Sequence, residues 1–134
     1  YPANVEQVVW LAKRLDRLKV YGAGSSLEGQ VLAKGAISLD LSRINKLLKL
    51  DTVLGVVRVQ AGMRLKELNE QLGEDWCFPV DPCYDGTVGG LLVTDARGPA
   101  CVRWGGLHGY LKGAQLVTAD GKLLELNTQA PLLV

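Results

Sequence analysis

The chain has 134 residues, of which 48% are hydrophobic and 22% are charged, a balance typical of one folded domain rather than of a disordered protein. Its formal net charge of +1 offers no positive field for a polyanion, so we expect no nucleic-acid partner. The apolar runs are too short for a membrane span, and three irregularly spaced cysteines favour a reducing, cytoplasmic location over a disulfide scaffold.

The first predicted element is a helix that begins after Asn4. Asparagine is a favoured N-cap, and Gln7, three residues later, can complete a capping box. The apolar residues that follow recur on one face of a helix. Its basic residues are interpreted as a solvated face rather than as a phosphate site.

A short strand, residues 18–21, leads into the first glycine-rich stretch, YGAGSSLEGQ. Glycines allow successive backbone N–H groups to point into one concavity, and the two serines add hydroxyl donors, which indicates an anion site; a plain surface turn is the alternative. In a Rossmann unit the loop would open a long amphipathic helix. Here AISLDL, residues 36–41, alternates like a strand, so we expect the loop to join two strands.

The next elements follow from periodicity. Residues 56–61, VVRVQA, predict a strand, and residues 63–73 predict a helix with Leu65, Leu68 and Leu72 inward and Gly73 as its stop. Residues 77–109 lose both periodicities and are rich in glycine and proline, which predicts a long functional loop. Residues 113–126 predict two strands joined by a turn at Asp120 and Gly121.

The second glycine-rich stretch lies inside that long loop. Thr87 offers a hydroxyl beside Gly89 and Gly90, where the backbone can pass close to a planar or anionic group. An irregular structural loop is the alternative. Two such stretches, roughly 60 residues apart, suit a ligand as long as a dinucleotide, provided that their main-chain amides converge on one diphosphate.

The chain resembles the FAD-binding domain of the vanillyl-alcohol oxidase and p-cresol methylhydroxylase superfamily, with the glycolate oxidase and D-lactate dehydrogenase type as the nearest branch. The similar stretches keep their order along almost the whole chain: YPANVEQVV, YGAGSSLEG, LDLSRINKLLKLD, VQAGMRLKELNEQL, FPVDP with GTVGG and GP, and LKGAQLVTADGKLL. The resemblance implies an α+β fold of two subdomains, residues 1–55 and a partial second, 56–134. It also implies truncation at the C-terminus, because the family continues into a further glycine-rich segment and a substrate-binding cap.

The resemblance also implies which residues bind FAD. The first loop binds the pyrophosphate through Gly22, Ala23, Gly24, Ser25, Ser26 and Gly29. The second motif runs along the flavin and its phosphates with Pro82, Thr87, Val88, Gly89, Gly90, Thr94, Asp95, Ala96 and Gly98. Two positions depart from the family. Tyr21 stands where Arg or another polar residue is common, and Asp95 stands where Asn often sits, which brings a negative charge near an anionic cofactor.

Covalent attachment and metal binding are the alternatives for the cysteines. Some superfamily members attach flavin through a cysteine near the position of Cys83, but the first loop has no His for a histidyl link, so non-covalent FAD is favoured. No metal site is expected, because metal-knuckle spacing is missing from the candidate ligands Cys77, Cys83, Cys101 and His108.

A few further side chains invite a functional role. His108 could donate to a flavin or act as a base. Trp76, Trp104 and Tyr110 could stack on adenine, although packing is the commoner use of such residues. No catalytic residue is predicted.

The function implied by the resemblance is that of a flavoprotein oxidoreductase, in which FAD accepts a hydride from a 2-hydroxy acid such as glycolate or D-lactate. One alternative is a non-catalytic flavin-binding or assembly subunit that docks on a catalytic flavoprotein and an iron–sulfur subunit, peripheral to a membrane through that complex. The apolar residues 131–134 could form its docking surface. A second alternative is a phosphosugar-binding or nucleotide-binding domain without redox function.

Overall fold

The computed structural model describes residues 1–127 and confirms the α+β class. The predicted apolar surface at residues 131–134 lies outside that range. The elements in chain order are α1 (Val5–Ala12), β1 (Leu18–Tyr21), β2 (Ile37–Asp40), β3 (Leu47–Asp51), β4 (Val56–Val59), α2 (Leu65–Leu72), α3 (Val88–Val93), α4 (Cys101–Trp104), a 3-10 helix (Leu107–Tyr110), β5 (Gly113–Val117) and β6 (Leu123–Asn127).

Helix α1 begins with the predicted cap. The Asn4 side chain accepts a hydrogen bond from the Gln7 amide at 2.9 Å, which satisfies one of the donors that a helix start leaves open. The Gln7 side chain reaches back to the amide of Ala3 at 2.7 Å, one residue before the cap. The capping box is therefore present in a slightly lengthened form.

Strands β1 and β2 pair in parallel, with Leu18 opposite Ile37 and Tyr21 opposite Asp40. No helix lies in the connection between them, as the sequence predicts. On the apolar face of the predicted strand, Leu39 is buried, whereas Ile37 is exposed to solvent. The connection carries the first glycine-rich loop directly from the end of β1.

The other strands form two antiparallel pairs, β3 with β4 and β5 with β6, so the described residues contain three two-stranded sheets. The β5–β6 turn confirms the prediction at Asp120 and Gly121, with Gly121 at a φ of 74°. Strand β3 was not predicted, because LLKLD lacks strict alternation. The predicted boundary between residues 55 and 56 stays a prediction, and β3 and β4 pair across it.

Helix α2 is tied to the second glycine-rich stretch. The Asp85 side chain accepts from the Lys66 amide at 3.0 Å, so it caps α2 from 19 residues away. The Leu65 amide donates to the Gly86 carbonyl at 2.9 Å, and Arg64 forms a β-bridge with Thr87. The second stretch therefore runs antiparallel along the start of α2 before it enters α3.

The buried core lies under these two segments. It comprises Leu65, Val80, Leu91 and Leu107, with Phe78, Leu92 and Ala96 packed against it. The prediction of a long irregular loop over residues 77–109 is wrong for part of that range, because α3, α4 and the 3-10 helix lie in it. These helices are too short to show a periodicity in the sequence. None of the helices in residues 1–127 has the length and apolar character needed to cross a membrane.

Candidate functional site

The first glycine-rich loop presents a run of backbone donors without protein partners. Within the part of the chain that the structure describes, no backbone N–H from Gly22 to Leu27 donates a hydrogen bond to a protein group. The hydroxyls of Ser25 and Ser26 are also without a protein partner there. Ser26 is half-buried and Ser25 is exposed. Successive free amides with adjacent hydroxyls match what an anion such as a phosphate requires.

The two glycine-rich stretches meet at Gly22 and Thr87. A Cβ atom added at Gly22 would collide with the Thr87 hydroxyl oxygen, so the Gly22 backbone lies as close to the Thr87 side chain as only a glycine permits. Thr87 is 3% exposed and is the N-cap of α3. The predicted convergence of the two bends is therefore present in the structure.

The second stretch differs from the first in where its amides point. The Val88 amide donates to the Met63 carbonyl at 2.9 Å, and the Gly89 amide donates to the Ala61 carbonyl at 2.8 Å. The Gly90 amide donates to the Thr87 hydroxyl at 3.2 Å. The start of α3 thus offers no free amide at Val88, Gly89 or Gly90, and the prediction that bare amides converge on one diphosphate is wrong at these three positions of the second bend.

A series of close backbone contacts positions both stretches. A Cβ at Gly62 would collide with the Leu41 carbonyl, which follows β2, and the Gly62 amide donates to the Ile44 carbonyl at 2.8 Å. A Cβ at Gly89 would lie 2.7 Å from the Cβ of Ala61. The end of β2, residues 61–62, the start of α3 and the end of β1 therefore form one closed set of contacts.

Helix α3 ends in a Schellman motif with Asp95 in the left-handed region, at a φ of 45°. The Asp95 amide donates to the Leu92 carbonyl at 3.2 Å, and the Ala96 amide donates to the Leu91 carbonyl at 2.9 Å. Ala96 then packs on the core. Asp and Asn tolerate this conformation better than other non-glycine residues, which explains why either residue type suits this position.

The Asp95 carboxylate is paired with two side chains at the protein surface. Its Oδ2 accepts from Arg97 Nη2 at 2.9 Å, and its Oδ1 lies 2.6 Å from His108 Nδ1. The hydrogen bond from Arg97, followed by that from His108, holds the pKa of Asp95 below its ordinary value. The predicted conflict between Asp95 and an anionic cofactor is therefore reduced by two partners. The i to i+2 spacing of Asp95 and Arg97 was the available signal for this pairing.

The remaining predicted residues of the second motif have structural contacts. A Cβ at Gly98 would collide with the Asp81 carbonyl and would lie 2.9 Å from the nitrogen of Pro82. The Thr94 hydroxyl donates to the Gly90 carbonyl at 2.8 Å at the end of α3. Pro82 and Gly98 thus hold the two ends of the motif together. Whether any of them contacts a cofactor stays a prediction.

Two cavities lie away from the first loop. An open cavity of about 480 Å³ is lined by α2 and by residues 82–85, including Cys83. A smaller one of about 330 Å³ is lined by Asp95, Arg97 and residues 104–110. Gly29 lies in a separate turn, where its carbonyl accepts from the Leu32 amide at 3.0 Å.

The aromatic side chains proposed for adenine stacking are engaged elsewhere. The Trp76 ring lies 3.1 Å from where a Cβ at Gly55 would stand, beside the β3–β4 turn. The Trp104 ring lies under the Arg103 guanidinium at 4.7 Å, and the Tyr110 hydroxyl donates to the Trp104 carbonyl. Among residues 1–127, no group of His, Cys, Asp and Glu side chains could hold a metal ion.

The sequence of this chain is similar to a known family of FAD-binding domains and to known dehydrogenases. A family model described as FAD binding domain matches residues 1–127. A D-2-hydroxyglutarate dehydrogenase of Xanthomonas citri is 34% identical over 94% of this chain and 28% of its own length. A probable mitochondrial D-lactate dehydrogenase of Danio rerio is 33% identical over 92% of this chain and 26% of its own length. The chain spans about a quarter of the length of these relatives.

Solved structures have the same fold. One structure of alkyldihydroxyacetonephosphate synthase superposes with a TM-score of 0.81 at 26% identity, covering 98% of this chain and 26% of that one. A second structure of that synthase has a TM-score of 0.79 at 23% identity and covers 96% of this chain. The expected FAD-binding fold of the p-cresol methylhydroxylase type is therefore confirmed, and its division into two subdomains stays a prediction.

Proposed function

Because the chain belongs to the FAD binding domain family, we propose that it is the FAD-binding part of a dehydrogenase that oxidises a D-2-hydroxy acid, with D-lactate and D-2-hydroxyglutarate as leading substrates. The cofactor is FAD, and the relatives are dehydrogenases named for 2-hydroxy acids. Glycolate, which the sequence resemblance suggested, remains a further substrate to test.

The observation that carries the proposal is the run of unpartnered amides from Gly22 to Leu27, placed against the N-cap of α3. These amides and the hydroxyls of Ser25 and Ser26 would hold the FAD pyrophosphate. Thr87 would fix the position of the loop, because its hydroxyl oxygen contacts Gly22 and also accepts a hydrogen bond from the Gly90 amide of α3. The site supplies neutral donors that stabilise a diphosphate without a bound metal.

When bound, the flavin supplies the hydride acceptor. This chain's residues hold the cofactor and fix its position relative to α3. Binding is non-covalent in this proposal, since the first loop contains no His for a histidyl link to the flavin. The role of a non-catalytic subunit beside an iron–sulfur partner finds no support in the relatives. Cytoplasmic location stays a prediction, and several relatives are named as mitochondrial.

Flavin binding tests the proposal directly. The purified chain is freed of ligand and titrated with FAD, and binding is followed by the change in flavin absorbance and fluorescence. We expect saturable binding that acid precipitation reverses completely. The double substitution Ser25→Ala with Ser26→Ala should weaken binding about tenfold, whereas Ser38→Ala, an exposed serine on β2, should not.

The substrate part of the proposal needs the full-length protein. We expect D-lactate or D-2-hydroxyglutarate to bleach its flavin absorbance, and the L-enantiomers to leave it unchanged. Saturable FAD binding without bleaching by either D-acid or by glycolate would contradict the substrate class while leaving the cofactor assignment intact. Failure of both the chain and the full-length protein to bind FAD would contradict the whole proposal.

A further inference from the structure

Tyr21 is the last residue of β1 and stands directly before the free amides. Its side chain folds back over the loop. A Cβ at Gly24 would lie 2.9 Å from the Tyr21 Cζ and 3.3 Å from its Cε2, and would collide with the hydroxyl oxygen. Gly24 has a φ of 70°, so the loop reverses under the ring. The hydroxyl is therefore held against the segment that carries the unpartnered N–H groups.

The Tyr21 hydroxyl has no protein partner within residues 1–127. The Tyr110 hydroxyl, by contrast, donates to the Trp104 carbonyl. Tyr21 is half-buried, and the end of its ring lies against Gly24. A phenol held in one position loses little conformational entropy when it forms a hydrogen bond to a ligand.

The loop itself carries no positive charge. Residues 21–30 contain Glu28 but neither Lys nor Arg. An anion bound here would be held by backbone amides and hydroxyls, and within this segment the phenol of Tyr21 is the longest side-chain donor available. The hydroxyl oxygen lies beside Gly24, which is in the middle of the run of amides that could hold a phosphate.

We propose that the Tyr21 hydroxyl donates a hydrogen bond to the phosphate group held by residues 22–27 and is a determinant of diphosphate affinity in this chain. The inference rests on the proposed function, since it assigns a further ligand to the same cofactor. It assigns Tyr21 to binding rather than to the chemistry of the reaction.

The test compares Tyr21→Phe with Tyr84→Phe. The Phe variant keeps the ring over Gly24 and removes only the oxygen. Tyr84 is a matched control, because it is 56% exposed, its hydroxyl also has no protein partner in the described residues, and it lies in the cavity beside α2. Dissociation constants are measured for FAD, for adenosine diphosphate as a diphosphate probe and for riboflavin as a probe without phosphate.

We expect Tyr21→Phe to weaken the binding of FAD and of adenosine diphosphate about tenfold, because a hydrogen bond to a charged group is lost. Riboflavin affinity and the melting temperature of the ligand-free protein should not change, and Tyr84→Phe should bind like the wild type. The phosphorus NMR signals of bound FAD should move in Tyr21→Phe and stay in place in Tyr84→Phe.

The outcomes separate the two proposals. Wild-type affinity for FAD in Tyr21→Phe would overturn this inference and leave the proposed function intact. Equal weakening of riboflavin and FAD would also overturn it, because the hydroxyl would then serve the flavin ring or the loop conformation. Absence of FAD binding in the wild type would overturn the proposed function and this inference together.

Discussion

The loop of residues 22–27 and the start of α3 are both rich in glycine, and both resemble phosphate-binding motifs, yet they use their glycines differently. In the first, the amides from Gly22 to Leu27 have no protein partner among residues 1–127. In the second, the amides of Val88, Gly89 and Gly90 are all bonded within the protein. Glycine content alone therefore does not distinguish a ligand-binding loop from a backbone packed against its own fold.

The contrast has a steric cause. Gly89 and Gly98 lie against the backbones of Ala61 and Asp81, where any side chain would meet protein atoms. Glycine is needed there because two segments of backbone touch. Gly22 and Gly24 also contact protein, at Thr87 and Tyr21, but those contacts leave the loop amides free. The second region thus packs against the rest of the fold and positions the first loop through the contact between Gly22 and Thr87.

The largest effect is expected at Gly98. A Gly98→Ala substitution would place a methyl group against the Asp81 carbonyl, and we expect a loss of about 3 kcal/mol or more in the free energy of unfolding. Urea unfolding of the variant and of the wild type measures this difference in the free energy of unfolding. The control is Gly109→Ala, because a Cβ there meets nothing within 4 Å. Equal stability of the two variants would show that Gly98 is not a packing glycine.

A smaller effect is expected where the two regions meet. Gly22→Ala should cost about 1–3 kcal/mol through the collision with the Thr87 hydroxyl, and Thr87→Ala should cost about 1 kcal/mol through loss of the α3 cap. In the double variant the collision is relieved. The double variant should therefore lose less stability than the sum of the losses of the two single variants, by about 1 kcal/mol. Strict additivity in urea unfolding would argue against the contact.

At the other end of α3, backbone strain and ion pairing can be separated at Asp95. Asp95→Gly and Asp95→Ala both remove the carboxylate, but only glycine accepts a φ of 45° without cost. We expect the Gly variant to melt a few degrees above the Ala variant. Identical melting temperatures would mean that the left-handed conformation is not maintained at this position.

The smallest effect is a pH dependence. Arg97 and His108 lower the pKa of Asp95 in the folded protein from its ordinary value of 3.8, so the folded state favours the charged carboxylate. This stabilisation is present above pH 3.8 and is lost as the pH falls below it through the folded pKa. Compared with Asp95→Asn, the wild type should therefore lose more stability between pH 5 and pH 3, measured by thermal unfolding. Parallel curves would contradict the pairing.

Much of the fold could be predicted from local patterns. The Asn4 cap, the strand at residues 18–21, the helix ending at Gly73 and the β5–β6 turn each depend on short-range chemistry, and each was found. Strand β3 and the short helices α3 and α4 were missed, because LLKLD lacks strict alternation and the two helices are too short to show a periodicity in the sequence.

For the candidate site, the sequence by itself determined which two stretches could approach a diphosphate, since glycines let backbone N–H groups come close to a ligand and the neighbouring Ser and Thr residues add hydroxyl donors. The tertiary structure decided that Gly22 touches Thr87, that the amides at the start of α3 are already bonded and that Tyr21 folds over Gly24. Whether an amide is free depends on where distant carbonyls such as those of Ala61 and Met63 lie. Residue order alone does not carry that information, because those carbonyls reach α3 only through the packing of separate segments.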